Sequence, residues 1–189
     1  MDMYLHVRVL FSIILGLGIS RLLSEVARIV QHPEEYKVYW VHLLWALFLF
    51  LYLIHFWWWN TGFKASSSRP SQSIYSSPST RFCLFLLCVL FFPEEMADYD
   101  GFKDYFYSRR RWIFSLMTVL FVADCADTLI KGTPYLESLG PIYYLRITLC
   151  ILLSAGAIKI ANQRFHAAFA IFATAYEILL ILKDYMTVG

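Results

Sequence analysis

The chain has 189 residues, 59% of them hydrophobic and 16% charged, with a mean hydropathy of +0.56. Soluble domains carry roughly 45–50% apolar and about 25% charged residues, so an aqueous fold and a disordered chain are both excluded. A formal charge of +2 leaves no electrostatic footprint for nucleic acid. The expected class is an all-α polytopic membrane protein.

A spanning helix needs about 20 mostly apolar residues, because backbone polar groups in hydrocarbon must be paired internally. Six segments answer that description. The first runs from about Tyr4 to Val30. It continues past Leu23 to Arg28 without a small-residue cleavage site, so it reads as a retained span and not a signal peptide. Arg8, Ser12, Gly16, Ser20, Ser24 and Arg28 recur every fourth residue, a stripe of small polar positions bracketed by arginines. Small residues let helix backbones approach closely. Arg21 and Glu25, one turn apart, are placed to neutralise each other. A helix contact face with an internal salt bridge accounts for the pattern. So does a helix lining a polar path among symmetry mates.

The second segment spans about Val38 to Trp59. Its His42 and His55 lie 13 residues apart, about 20 Å along the axis, a spacing that would suit two stacked haems. Bis-histidine ligation needs a second histidine pair, and the fifth segment offers Arg146 and Lys159 instead. The plainer reading is interfacial histidines beside an aromatic belt of Trp40, Trp57, Trp58 and Trp59. Residues 61–80 are rich in serine and proline and read as an exposed loop.

The third segment covers about Thr80 to Phe92. Its purely apolar part, Phe82 to Phe92, rises only about 16 Å against a hydrocarbon core of about 30 Å. Pro93, Glu94 and Glu95 then form a helix-start signature. Either the helix breaks there with two carboxylates near membrane depth, or it exits early into a thinned bilayer. Residues 93–111 read as an acidic-aromatic interfacial segment containing Glu94, Glu95, Asp98, Asp100 and Asp104. Phe102, Tyr105 and Phe106 fall at i, i+3 and i+4, a spacing that would turn them toward lipid in a short interfacial helix.

The remaining segments run from about Trp112 to Leu129, Ile142 to Ile160, and Phe165 to Met186. They carry isolated charges: Asp124, Asp127, Arg146 and Glu177. Each charge in a span costs roughly 2.5–3.5 kcal/mol on insertion scales, so it should face protein or water. Arg146 is expected to pair with Asp124 or Glu177, and Lys131 with Asp127. Cys83, Cys88, Cys125 and Cys150 show no metal spacing and no bridge pattern, so they read as packing residues, with no cofactor or metal expected. Catalytic and phosphate-loop motifs are absent, and the chain reads as non-enzymatic.

Two further patterns bear on architecture. Tyr39, Trp40, His42 and His55 align without gaps on Tyr143, Tyr144, Arg146 and Lys159. Arg81–Phe82 precedes Glu94 by the interval separating Arg164–Phe165 from Glu177. Both are compatible with two inverted three-helix halves, as in many transporters. With a cytoplasmic N-terminus, six inside cations (Arg8, Lys64, Arg69, Arg81, Lys131, Lys183) face eight outside (Arg28, Lys37, Lys103, Arg109, Arg110, Arg111, Lys159, Arg164), and the positive-inside rule does not decide.

Arg8-Val9-Leu10-Phe11-Ser12, His55-Phe56-Trp57-Trp58-Trp59 and Leu90-Phe91-Phe92-Pro93 together resemble a known family over residues 8–93. It is the six-helix family of bacterial and lysosomal potassium channels, whose first helix carries R-x-x-x-F-S-D. Here the arginine stands one residue closer and Ile13 replaces the aspartate, so potassium selectivity does not carry over. The resemblance implies a tetramer with first helices around a pore. In design the chain is also similar to small multi-span effectors of bacterial antiviral systems.

The leading expectation is a homo-oligomeric, cation-conducting channel in a bacterial inner membrane, tetrameric and opened by a soluble partner. Ser12, Gly16 and Ser20 would line the path, with Arg21 and Glu25 near one mouth. The acidic segment would form a charged vestibule. The alternatives are a transporter holding substrate between Arg146, Asp124 and Glu177, and a structural subunit whose intramembrane charges all pair.

Overall fold

The computed structural model describes residues 3–32, 34, 36–61, 78–130, 137 and 139–186. Its main elements are six α-helices: α1 (Met3–Gln31), α2 (Trp40–Thr61), α3 (Pro78–Phe91), α4 (Phe102–Ile130), α5 (Pro141–Lys159) and α6 (Gln163–Met186). Among the described residues four stretches are long and apolar enough to cross a bilayer: Trp40–Trp58, Phe102–Ile130, Pro141–Lys159 and Gln163–Lys183. They mark a membrane-embedded chain. The 14-residue α3 rises only about 21 Å, short of the hydrocarbon core. The serine- and proline-rich stretch lies outside the described residues, apart from Thr61, which ends α2, and Pro78–Thr80, which open α3.

The helix ends follow local chemistry. Pro141 sits at the start of α5, where its missing N–H removes no helical bond, after Gly140 at φ +73°. At the other end the Ile160 N–H closes α5 on the Gly156 carbonyl at 2.9 Å.

The fourth helix differs from the sequence expectation. It begins ten residues early, at Phe102, so residues 102–111 are its first turns and not a separate interfacial piece. No helix starts at Pro93; residues 92–101 form an irregular turn on which Glu94, Glu95, Asp98 and Asp100 are exposed. Phe102, Tyr105 and Phe106 face the protein core and not lipid. The reason is a buried ring cluster. The His42 imidazole is stacked between Phe91 and Phe102 at 4.6 and 5.1 Å, with Phe92, Tyr105 and Phe106 meeting it edge-on. His42 is therefore a core residue and not an interfacial one. Just before α2, Tyr39 meets the Tyr107 hydroxyl at 3.3 Å, and burial, then that neighbour, push its phenol above the ordinary value.

Gly101 makes the entry to α4 possible. Its φ of +117° is open to glycine alone at little strain, and an added Cβ would stand 2.7 Å from the Lys37 Cβ. The close approach lets the Phe102 N–H reach the Lys37 carbonyl at 3.1 Å while Lys37 Nζ meets Asp100 at 2.5 Å. Gly101→Ala is expected to destabilise the fold by about 2–3 kcal/mol, combining backbone strain with the clash. A denaturant titration showing under half a kcal/mol would contradict this account of the turn.

Packing runs across the bundle in a definite order. α1 lies mainly on α3 and more lightly on α2, α3 on α4, α2 on α6, and α4 most extensively on α5. α1 and α5 thus occupy opposite edges. Trp45 of α2 fills the centre, with Phe48, Phe114 and Phe169 edge-on at 5.4, 5.4 and 4.9 Å. Such pairs each add about 0.5–1.5 kcal/mol beyond their buried area. In the first three helices the dominant contact is α1 on α3. In the last three it is α4 on α5, while α4 and α6 meet chiefly through long rings such as Phe114 and Phe169. The two halves do not share one packing order.

All four cysteines are free. Cys88 fills the α1–α3 crossing, where a Cβ added to Gly18 would meet its Sγ at 3.3 Å. Large apolar side chains cover the outside, among them Leu10, Ile13 and Leu17 on α1, Leu145 and Leu152 on α5, and Leu179 on α6.

Candidate functional site

Two groups of polar residues stand out, one on the face of α1 and one inside the bundle. On α1, Leu15, Gly18, Leu22, Glu25 and Ile29 form the buried face, while Ser12, Gly16, Ser20 and Ser24 lie on the exposed one. No atom comes within 4 Å of a Cβ added to Gly16. At 3.6 residues per turn, Glu25 stands about half a turn away from Gly16. It is 3% exposed, and its carboxylate is held by Arg21 at 3.0 Å and Arg28 at 2.6 Å. The expected Arg21–Glu25 pair is present, with Arg28 added. Glu25 points into the helix bundle, not along the small-residue stripe, because a clamped carboxylate can be buried where a free one cannot.

Arg28 also carries α1 to the acidic turn. Its Nη2 donates to the Pro93 carbonyl at 3.4 Å and its guanidinium lies 5.8 Å over the Tyr36 ring. The acids of residues 94–104 therefore project at the C-terminal end of α1, although they are about seventy residues away in sequence. Glu94, Glu95, Asp98, Asp100 and Asp104 are all exposed. Asp100 is engaged by Lys37, and the Asp104 carboxylate accepts the Asp100 N–H at 3.4 Å.

The second group lies where α2, α4, α5 and α6 converge. Asp124 and Thr128 are one turn apart on α4, and Tyr143, Arg146 and Cys150 share a face of α5. Arg146 Nη2 stands 3.8 Å from Asp124 Oδ2, and its guanidinium lies 5.3 Å from the Tyr143 ring and 5.9 Å from that of Tyr176. Tyr143 donates to Thr128 Oγ1 at 2.8 Å. Glu177, 2% exposed, meets His55 Nδ1 at 2.6 Å. The Tyr52 hydroxyl is within electrostatic reach of Asp124, Arg146 and Glu177 alike. Carboxylates, a guanidinium and an imidazole thus compensate one another where a lone charge would be prohibitive.

The structure separates charges that the sequence placed together. Of the two partners expected for Arg146, Asp124 takes the contact and Glu177 turns to His55. Asp127 is buried and lies within electrostatic reach of Arg81 from α3, whose guanidinium covers the Phe56 ring at 5.9 Å. Lys131, the expected partner of Asp127, falls outside the described residues. The sequence reading missed Arg81, Tyr52, Tyr143 and Tyr176 as members of these groups, and treated His55 as interfacial. One signal was available: Asp124, Asp127 and Glu177 call for basic partners, and Arg81, Arg146 and His55 are basic residues within reach of the apolar segments.

No group of three or more metal-ligating side chains occurs among the described residues. No protein-family model matches the chain, and neither a curated protein nor a solved structure matches it.

Proposed function

We propose that the protein is a homo-oligomeric channel of a bacterial inner membrane that conducts cations, a tetramer with copies of α1 around a shared axis. In this reading α1 and α3 join the four long apolar helices as further passes. One observation carries it: Ser12, Gly16 and Ser20 face outward from an edge helix instead of packing inside the subunit. Hydroxyl groups are poorly served by lipid tails, and small side chains suit close packing against another copy. The Arg21–Glu25–Arg28 clamp neutralises the buried carboxylate within α1, and Arg28 ties the end of α1 to the acidic turn through the Pro93 carbonyl. Repeated around an axis, that turn concentrates cations at one mouth. Opening by a soluble partner would depolarise the cell, which is the role of an antiviral effector.

The test is flux through the full chain in liposomes. Ser12→Cys and Ser20→Cys are expected to make conduction sensitive to a cationic thiol reagent. Combined Glu94→Gln, Glu95→Gln and Asp98→Asn is expected to lower cation-over-anion preference several-fold at 0.1 M salt. The difference should fade at 1 M, where the screening length falls from about 10 Å to about 3 Å. No flux under any trigger from a correctly folded assembly would end this reading.

A second reading has its own observation. The charges gathered around Arg146 and Glu177 lie within one subunit, where a transporter would hold substrate or a proton. It predicts transport by a monomer or dimer, and a loss of activity in Glu177→Gln without any change in subunit number. A purely structural subunit would show neither flux nor transport.

A further inference from the structure

Where α4 passes the α5–α6 turn, cations outnumber acids. Lys103 and Arg110, seven residues apart, share a face of α4, and Arg111 adjoins it. Arg110 donates from Nε to the Ile158 carbonyl and from Nη2 to that of Lys159, both at 3.4 Å. That contact fixes the end of α5 against α4 and brings Lys159 beside the arginines. His166 Nε2 meets the Ile160 carbonyl at 2.8 Å, and its ring lies 5.7 Å from Tyr107, so the start of α6 joins the same corner.

The turn carbonyls are therefore occupied by Arg110 and His166, while Arg111, Lys159 and Arg164 remain exposed and form no ion pair among the described residues. Asp104, the one acid in this stretch of α4, stands two turns before Arg111 and accepts the Asp100 N–H. The N-terminus of α6 adds its partial positive charge, opened by Asn162 Oδ1 accepting the Arg164 N–H at 2.8 Å. Trp112 follows Arg111 and is 66% exposed, and Ile160 is exposed beside Lys159. Cations next to an outward tryptophan, where α4 turns apolar and beside the facing ends of α5 and α6, describe the headgroup level of a bilayer.

We propose that this corner binds the phosphate headgroup of an anionic phospholipid. Arg111, Lys159 and Arg164 hold the phosphate, Arg110 positions the turn, and Trp112 lies along the upper acyl chain. The assignment is independent of the channel reading and fails or stands separately from it.

Native mass spectrometry of the full chain, given equimolar phosphatidylglycerol and phosphatidylcholine, tests it. Phosphatidylglycerol is expected to be retained in preference. Arg111→Gln, Lys159→Gln and Arg164→Gln should each lower that retention about fivefold, and together by more. Lys183→Gln, on the far part of α6, is expected to leave it unchanged. Arg111→Gln alone serves if the triple variant misfolds. Equal retention of the two lipids, retention unchanged in Arg111→Gln, or full displacement by millimolar inorganic phosphate would overturn the proposal; the last would assign the site to soluble anions.

Discussion

Arg146→Leu is expected to lower stability by about 3–5 kcal/mol, the range found when one partner of a buried pair is removed. Asp124 loses its guanidinium at 3.8 Å, and the rings of Tyr143 and Tyr176 lose the cation between them. The side chains are only 16% and 25% exposed, so water compensates little. Adding Asp124→Asn should restore part of the loss, because no uncompensated carboxylate then remains. A denaturant titration in detergent on all four proteins of this cycle checks the coupling. Independent, additive losses would mean that Arg146 is held by something other than Asp124.

Gly16→Leu is expected to leave the chain folded and to dissolve the proposed tetramer. Nothing lies within 4 Å of a Cβ added at this exposed position, so neither packing at the Cβ nor helix formation opposes the change. Leucine is also a better helix former than glycine, which stands about 0.8–1.0 kcal/mol below alanine. If copies of α1 approach through this stripe, four added side chains at one level force them apart. Native mass spectrometry should then report lone subunits, and liposome flux should vanish. An oligomer that survives Gly16→Leu intact would place α1 away from the subunit interface. The contrast with Gly18 is useful: a side chain there meets Cys88 within the same subunit, so the substitution harms the fold itself.

The six apolar segments were legible because a hydrocarbon core of about 30 Å and a rise of about 1.5 Å per residue set how long an apolar helix must be, and their ends agree with the observed helices to within a few residues, apart from α4. That helix was read short because Arg109, Arg110 and Arg111 interrupt its apolar pattern. The structure continues through them: Tyr99 accepts from Arg109 at 2.7 Å, and the α5 carbonyls accept from Arg110. The lipid-facing assignment of Phe102, Tyr105 and Phe106 failed for a related reason. Spacing identifies a shared face, but it does not say whether lipid or another helix covers that face. His42 shows the same limit, since an imidazole between two phenylalanine rings leaves no local trace in sequence.

By itself the sequence determined the solvent and the secondary structure. Apolar runs of this length must leave water, and once in hydrocarbon a chain without a closed barrel must satisfy its backbone as helices. It also determined that Glu25, Asp124, Asp127, Arg146 and Glu177 needed partners, because an isolated charge at that depth is too costly. Only the tertiary structure decided which partners these are. His55 and Glu177 are separated by 122 residues and meet at 2.6 Å because α2 lies on α6, a neighbour relation that local spacing does not encode. The same holds for the outward stripe of α1 and the acidic turn at its end: residues distant along the chain acquire a common place only when helices choose their neighbours.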